Sequence, residues 1–347
     1  MSSMRLRPKH FRNSLLIASV IITVLILFAS PSKRTVPEVQ LHPAAQRKRQ
    51  RGISHEPLLL TPRKIPDFCT DKQIKTLFLV HTAPSHFSDR SQLREYLKKP
   101  PDFAVVFALG RTGNSTLDLL VSEEAHLHND MVIFSFRDTY RNLTLKFVNA
   151  IRWIKSECSL PGARSVVKVD DDVWVNMPML QRYNSQLFVK YSDRILFLAT
   201  IHCMVWRRVR VARRLESKWF VSKDEYHLPY YPPYCGGLAY IVPFHLLRAL
   251  VEASYDVPFF WIDDVYATGL LARQAHIGHA QISSYYAMGA NENGTSASNW
   301  LDIMNVTFGG TNFMFAHMNS DFLRQVRFWL FRSTDERKLG SGKFDVF

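Results

Sequence analysis

The sequence predicts an α/β domain built on a mostly parallel central sheet with helices on both faces, preceded by one N-terminal transmembrane helix. Three observations predict it. Four short apolar runs, "IKTLFLV" (74–80), "FAVVFALG" (103–110), "MVIFSF" (131–136) and "SVVKV" (165–169), read as strands buried on both faces. The segments between them carry helical spacing instead of strand alternation. An uncharged, largely apolar run at 14–30, "SLLIASVIITVLILFAS", has the length of a short membrane span.

Taken in chain order, residues 1–13 carry Arg5, Arg7, Lys9 and Arg12 and read as a cytoplasmic tail, because basic flanks stay on the cytosolic side. Residues 14–30 then act as a transmembrane signal anchor, and the rest of the chain is lumenal. A cleaved signal peptide is the alternative, but Pro31 directly follows the small-residue site where cleavage would occur. Residues 31–67 are rich in proline and charge and show no sustained period, so they read as a flexible lumenal stem. A folded domain follows at 68–332, with a C-terminal tail at 333–347. Within the domain the clearest helix is 140–157, where Leu143, Phe147, Ile151 and Ile154 share one face at spacings of 4, 4 and 3.

Charge excludes one class of partner. The formal net charge is +14, but twelve Lys and Arg against three acids before residue 68 account for +9 of it. The remaining 280 residues are only mildly basic, so the high charge is not the footprint of a nucleic-acid-binding domain. Two features agree with a lumenal setting. Asn-X-Ser/Thr sequons stand at Asn114, Asn142, Asn293 and Asn305, which are candidate glycosylation sites. The cysteines are four, Cys69, Cys158, Cys203 and Cys235, an even number compatible with two disulfides, with no CxxC pair to suggest zinc.

Chemistry is carried by acids at the ends of apolar runs. "VVKVDDDVWVNM" (166–177) places Asp170, Asp171 and Asp172 where a strand ends, and open parallel sheets bind ligands beyond such ends. In an extended chain Asp170 and Asp172 face one side and Asp171 the other. Two carboxylates on one side suit a hard divalent cation that completes its shell with water and phosphate oxygens. A solvated turn stabilised by Lys168 is the alternative. "FFWIDDVYATGLL" (259–271) repeats the grammar with Asp263 and Asp264 before a helix-like segment. Either acid can cap that helix, and a carboxylate in an apolar setting can also take a proton at neutral pH.

"YYPPYCGGLAYIV" (230–242) is a rigid aromatic loop leading into a strand. Gly236 and Gly237 allow a ligand close to the backbone. Trp219, Tyr230, Tyr231 and Tyr234 are candidates for stacking on sugar faces or for core packing. "RRVRVARR" (207–214) holds five arginines in eight residues, read as a basic surface loop or a contact for an anionic acceptor.

These segments, in this order over roughly residues 70–280, resemble the β-1,3-galactosyltransferase and β-1,3-N-acetylglucosaminyltransferase family, glycosyltransferase family 31. "VFALG" is similar to that family's Phe-X-X-Gly strand. Asp138, Tyr140, Asn142, Leu143, Thr144 and Lys146 resemble its Asp-X-Tyr-X-Asn-Leu-Thr-X-Lys block. "KVDDDVWVN", "KWFVSKDEYHLPYYPPYCGGLAY" and "IDDVYATG" resemble three further family motifs.

The resemblance implies a GT-A-type single domain, a single-pass type II protein of the Golgi membrane, a UDP-sugar donor and an inverting reaction. The acceptor it implies is a glycan on protein or lipid. Carried over by position, Asp172 binds Mn2+ or Mg2+, with His317 of "FMFAHMNSD" as a further metal ligand or a structural histidine. Arg90, Arg94, Lys168, Asp170 and Asp171 line the donor side. Trp219, Tyr234, Gly236, Gly237 and Asp263 line the acceptor side, and Asp264 is the general base.

The sequence also departs from the family. Its early arginine motif survives only as "RSQLREYL", Asp263 stands for the usual Glu, and Gly236 stands for the usual Ser after Cys235. Two other readings remain: "VVKVDDDV" also fits a haloacid-dehalogenase-type phosphatase with Asp170 as nucleophile, and a non-catalytic, glycan-binding member is the third possibility.

Overall fold

The structure, a computed structural model, describes residues 53, 58–60, 66–97, 101–190, 199–287 and 314–317. The apolar run 14–30, the sequons Asn293 and Asn305 and the tail 333–347 lie outside the described residues. Among the described residues no helix is long and apolar enough to cross a membrane.

All four predicted strands form, as β2 (Thr76–His81), β3 (Phe103–Arg111), β4 (Met131–Arg137) and β5 (Ser165–Asp170). Each runs one residue past the apolar stretch that predicts it, because ladder pairing continues where the side chains turn polar. With β1 (Leu58–Leu60), β7 (Thr200–Cys203), β10 (Ala239–Pro243) and β11 (Gly278–Gln281) they make an eight-stranded sheet ordered β1-β4-β3-β2-β5-β10-β7-β11. The core β4-β3-β2-β5 is parallel throughout. Beyond β5 the direction changes: β10 runs antiparallel to both β5 and β7. That reversal brings the loop before β10 to the same sheet end as the last residue of β5.

The sheet is covered on both faces, as predicted. α1 (Phe87–Leu97) and α2 (Ser115–His128) lie on one side, where Leu93, Val121 and Ala125 pack with Phe78, Val105, Phe107 and Val167. α3 (Leu143–Glu157) and α5 (Leu247–Asp256) lie on the other, with Leu77, Val106, Phe134 and Val166. A further helix, α4 (Met177–Lys190), follows the short strand β6 (Val173–Val175). Alternate residues of each strand feed the two cores, as the two-residue period of a strand requires.

α3 confirms the periodic reading and goes beyond it. Phe147, Ile151 and Ile154 are buried as expected, but so is every residue from Thr144 to Ile154. Its polar side chains find partners inside the protein: the Lys146 ammonium donates to Thr82 O, and one end of the Arg152 guanidinium donates to Ile53 O and Ser254 Oγ. Buried polar groups need such partners, so this helix is wedged between other elements instead of lying on the surface.

One boundary needs correction. The stem predicted for 31–67 does not run free to residue 67. Ile53 is buried in the core and its backbone N–H donates to Ser254 O. Leu58–Leu60 adds β1 antiparallel to β4, with Leu60 opposite Ile133. The Leu-Leu-Leu run can cover an otherwise open edge strand, which proteins avoid leaving bare.

Two disulfides form, as the even count allows: Cys69–Cys158 and Cys203–Cys235. Cys158 follows α3, so the first bridge ties the start of the domain to the end of that helix. The second joins the end of β7 to β9 (Tyr234–Cys235), which pairs with β8 (Val205–Trp206). A small sheet completes the site end: β12 (Tyr286–Ala287), β13 (Phe315–His317) and β6, with His317 opposite Val173.

Candidate active site

At the C-terminal end of β5 the chain turns sharply. β5 stops at Asp170, and Asp171 and Asp172 form the turn into β6, so the extended alternation expected for the triplet ends after its first member. Each carboxylate then takes its own partner. Asp170 Oδ1 accepts from the Lys168 ammonium at 2.6 Å. Asp171 Oδ2 lies 2.8 Å from His86 Nδ1, on the loop after β2. Asp172 Oδ2 lies 3.2 Å from His317 Nε2, which the β6–β13 pairing brings over from 145 residues away.

Lys168 is the hub of the site. Its side chain is buried, and its ammonium also donates to Gly237 O and lies 4.0 Å from Asp263 Oδ2. Burial works against its charge, but Asp170, Asp263 and Asp264 outweigh that and hold its pKa above the ordinary lysine value. The structure therefore supports Lys168 as an organiser of the acids more than as a free cation. The reversed strand β10 is what places Gly237 here, since Asp170 N–H donates to Leu238 O just ahead of it.

Asp264 fills the capping role foreseen for it. It caps the π-helix Val265–Leu271, its Oδ1 accepting from Val265 N–H at 2.7 Å. Its Oδ2 makes no hydrogen bond among the described residues and lies against Gly237, where an added Cβ would come within 3.3 Å. Burial, and next the neighbouring Asp263, push the Asp264 pKa up to about 7, against the pull of Val265 N–H and Lys168. Burial likewise raises Asp170 to about 7, with Lys168 opposing and Asp172 and Asp263 adding to the rise. A carboxylate pinned by one oxygen, open at the other and poised near neutrality is equipped to accept a proton.

The aromatics divide between surface and core. Tyr231 is buried and packs with Tyr226 and Phe260. Tyr234 is half-buried, and its hydroxyl is held protonated by burial and by the nearby Asp264 charge. Trp219 is 49% exposed and its indole N–H donates to the hydroxyl of Tyr140, which is 56% exposed. Tyr140 packs against Trp261, two residues before Asp263, so this exposed pair stands beside the acid cluster. In the sequence Tyr140 stands inside the Asp-X-Tyr block with nothing to mark it as part of a site. Gly236 is enclosed: a Cβ there would meet Met204 Cε and Trp206 Nε1 at 2.9 Å, so a serine at this position would require those side chains to shift.

Arg90 and Arg94 correct the sequence expectation. Arg90 is fully buried, its guanidinium donating to Glu124, Ala83 O and Pro84 O. Arg94 pairs with Glu124 and Asp130 and stacks over Phe107. Neither presents a surface that a donor can touch, since α2 and the turn before β4 supply carboxylates that claim both side chains. Their effect is on shape: Arg90 clamps the loop 82–84, which carries His86 to Asp171. Lys146 fixes the same loop from below, donating to Thr82 O while paired with Asp138 at 3.0 Å. The sequence does not single out His86, and it shows Asp138 and Lys146 only as members of a motif, without the contact that fixes this loop. His86 lies in a stretch without period or motif, so nothing in the sequence marks it.

The two sequons within the described residues differ. Asn114 is exposed and caps α2, accepting from Thr116 and Leu117 N–H. Asn142 is half-buried, its amide donating to Arg137 O, and the Thr144 hydroxyl is buried against Phe260 O.

For a cation, the residues present supply a pair, not a cage. Among the described residues no group of three or more His, Cys, Asp or Glu gathers as a metal site. Asp172 and His317 nevertheless converge, and Asp172 Oδ1 is buried without a hydrogen-bond partner among the described residues. A two-residue donor set with an unsatisfied carboxylate oxygen fits a hard ion that draws its other ligands from a diphosphate and water.

Comparison with known proteins gives the family. Residues 90–283 match the family model described as Galactosyltransferase. The chain is 29% identical over 225 residues to a mouse (Mus musculus) protein named beta-1,3-galactosyltransferase 1, covering 63% of this chain and 66% of that protein. It is also 29% identical over 223 residues to a zebrafish (Danio rerio) lactosylceramide 1,3-N-acetyl-beta-D-glucosaminyltransferase A, covering 60% of this chain and 56% of that protein. A solved structure of a glycosyltransferase involved in glycosylation of the major capsid of PBCV-1 aligns at 10% identity and a TM-score of 0.37, over 75% of this chain and 99% of that one. The match thus spans just under two thirds of the mouse relative's length. With the family model covering more than half of its length and the acids standing at the expected sheet end, this chain belongs to the galactosyltransferase family.

Proposed function

We propose that this chain is an inverting glycosyltransferase that moves a hexose, galactose or an N-acetylhexosamine, from a UDP-sugar to the 3-hydroxyl of a glycan acceptor, forming a β-1,3 linkage. The reading includes a single-pass type II setting in the Golgi membrane, with acceptors on protein or lipid. The observation that carries it is Asp264: one oxygen pinned by a helix N–H, the other open beside Gly237, and a pKa near 7.

Asp264 accepts the proton of the acceptor hydroxyl as its oxygen bonds to the anomeric carbon. The bond to UDP breaks from the opposite face, and its electron pair leaves with the diphosphate. No second carboxylate is required as a protein nucleophile, so the displacement is single and the configuration inverts. Mn2+ or Mg2+, held by Asp172 and His317, would supply charge neutralisation for the leaving diphosphate. Lys168 holds Asp170 and the Gly237 carbonyl in place, and the Tyr140–Trp219 pair offers an exposed aromatic face for a sugar. The competing phosphatase reading gives Asp170 a nucleophilic role, but Asp170 is engaged by Lys168 and the family match accounts for the motifs that reading leaves aside.

The full chain in detergent, assayed by product mass with UDP-galactose and UDP-N-acetylhexosamines, should transfer only with Mn2+ or Mg2+ and stop on chelation. Asp264→Asn should lower kcat by about 10²–10⁴-fold while UDP still binds. Full activity in that variant would show that the base lies elsewhere.

A further inference from the structure

The transferase chemistry leaves "RRVRVARR" unused. The structure places it on an antiparallel ribbon that begins at the site. Trp206 pairs with Tyr234, Tyr231 N–H donates to Val209 O, and Arg210 bridges Tyr230. The near end adjoins the acids, because Tyr234 leads into Gly236 and Gly237 beside Asp264. Four residues of chain span at most about 14 Å, so Arg210 stands no farther than that along the ribbon from Trp206, whose indole borders Gly236.

The ribbon's arginines are not alike. Arg213 is structural, donating to Val221 O, Tyr226 O and Leu228 O. Arg207, Arg208, Arg210 and Arg214 are exposed, as is Lys218, and none pairs with a carboxylate among the described residues. From Arg207 to Lys218 the only acid is Glu216. Exposed aromatic faces stand among these cations: Trp206, Trp219 and Tyr230. Arg207 is also close enough to His279 for its charge to help burial lower the His279 pKa. Unpaired guanidinium groups recognise sulfate, phosphate and carboxylate, and aromatic faces recognise sugar rings.

We propose that this ribbon is the docking surface for an acidic glycan, so that the acceptor carries sulfate, phosphate or uronic acid groups within a few residues of the sugar being extended. The word acceptor rests on the transferase reading above; the anionic surface does not.

The test uses the full chain in detergent with two size-matched probes, a heparin octasaccharide and a neutral N-acetyllactosamine octasaccharide, and with UDP measured in parallel. The heparin probe should bind at least tenfold tighter than the neutral one at low salt, with the difference shrinking as salt rises. Arg207→Gln, Arg210→Gln and Arg214→Gln together should lose at least tenfold of heparin affinity and leave UDP binding unchanged. Because residues 47–51 are a second cluster of cations, Arg47→Gln, Lys48→Gln and Arg49→Gln together form the control, expected to keep most of the affinity.

Arg208 has φ 55, a left-handed conformation that Asn tolerates, so Arg208→Asn is the gentle second variant should the triple one misfold. Equal binding of both probes overturns the proposal. So does loss in the stem variant but not the ribbon variant, or binding to phosphatidylserine vesicles without binding to the oligosaccharide. Heparin binding through the ribbon without any UDP binding would reject the transferase reading and leave the surface standing.

Discussion

At the residue scale, the site is one buried cation facing several acids. Lys168 is enclosed by Asp170, Asp263 and Asp264, so its removal leaves carboxylates without their partner in a poorly hydrated crevice. Lys168→Met should therefore lower the unfolding free energy by about 3–5 kcal/mol at pH 8, measured by denaturant titration. Asp264 gives a pH dependence with a definite sign. Its pKa is raised to about 7, so the basic form that the proposed transfer needs appears only as pH rises. The rate should climb through about pH 7 and level off above it in wild type, followed by kcat/KM against pH; a flat profile would remove Asp264 from the role.

The same shift works against folding. A carboxylate whose folded pKa lies above its unfolded value destabilises the fold once pH passes the unfolded value, and fully above the folded one. Asp264→Asn, which keeps an oxygen for Val265 N–H, should raise Tm at pH 8 and leave it unchanged at pH 4.

At the element scale, the loops at the sheet end are held by buried side chains. The Asp138 carboxylate accepts from Gly110 N–H at the end of β3 and from Lys146 in α3, and Lys146 in turn fixes the loop after β2. Gly110 has no room for a side chain: a Cβ there would fall 2.6 Å from the Phe136 carbonyl oxygen. Gly110→Ala should destabilise the protein by about 1–3 kcal/mol, visible in thermal melts, and should shift activity as well because the Asp138 contact moves with it. The strands and α3 were legible from their apolar patterns. The burial of α3 on all sides was not, since Lys146, Asn149 and Arg152 look like a solvated face until the elements that satisfy them are in place. Arg90 and Arg94 misled for the same reason. Their partners Glu124 and Asp130 sit thirty or more residues away, and a motif does not say which acid will claim a guanidinium.

At the scale of the whole molecule, two bridges bind distant parts of the chain. Cys69–Cys158 closes 89 residues and Cys203–Cys235 closes 32. Chain-entropy arguments give the longer loop about 4–5 kcal/mol and the shorter about 3–4. Replacing the first pair with serine should cost the larger share of stability in a thermal melt. Replacing the second should cost less stability and more activity, because Cys235 directly precedes the Gly236–Gly237 turn at the site.

The sequence by itself determined the α/β class, the four parallel core strands, the two-faced core and the stretches that hold the acids. These follow from local rules: apolar runs form buried strands, and charges gather where strands end. Only the tertiary structure decided the rest. It set the reversal of β10 that brings Gly237 to Lys168, the pairing of β13 with β6 that brings His317 to Asp172, the separate fates of the three adjacent aspartates, and the docking of the supposed stem at the sheet edge. Each of these depends on which distant segment satisfies a backbone edge or a buried charge. That choice is made by the free energy of the whole assembled core, and no local pattern encodes it.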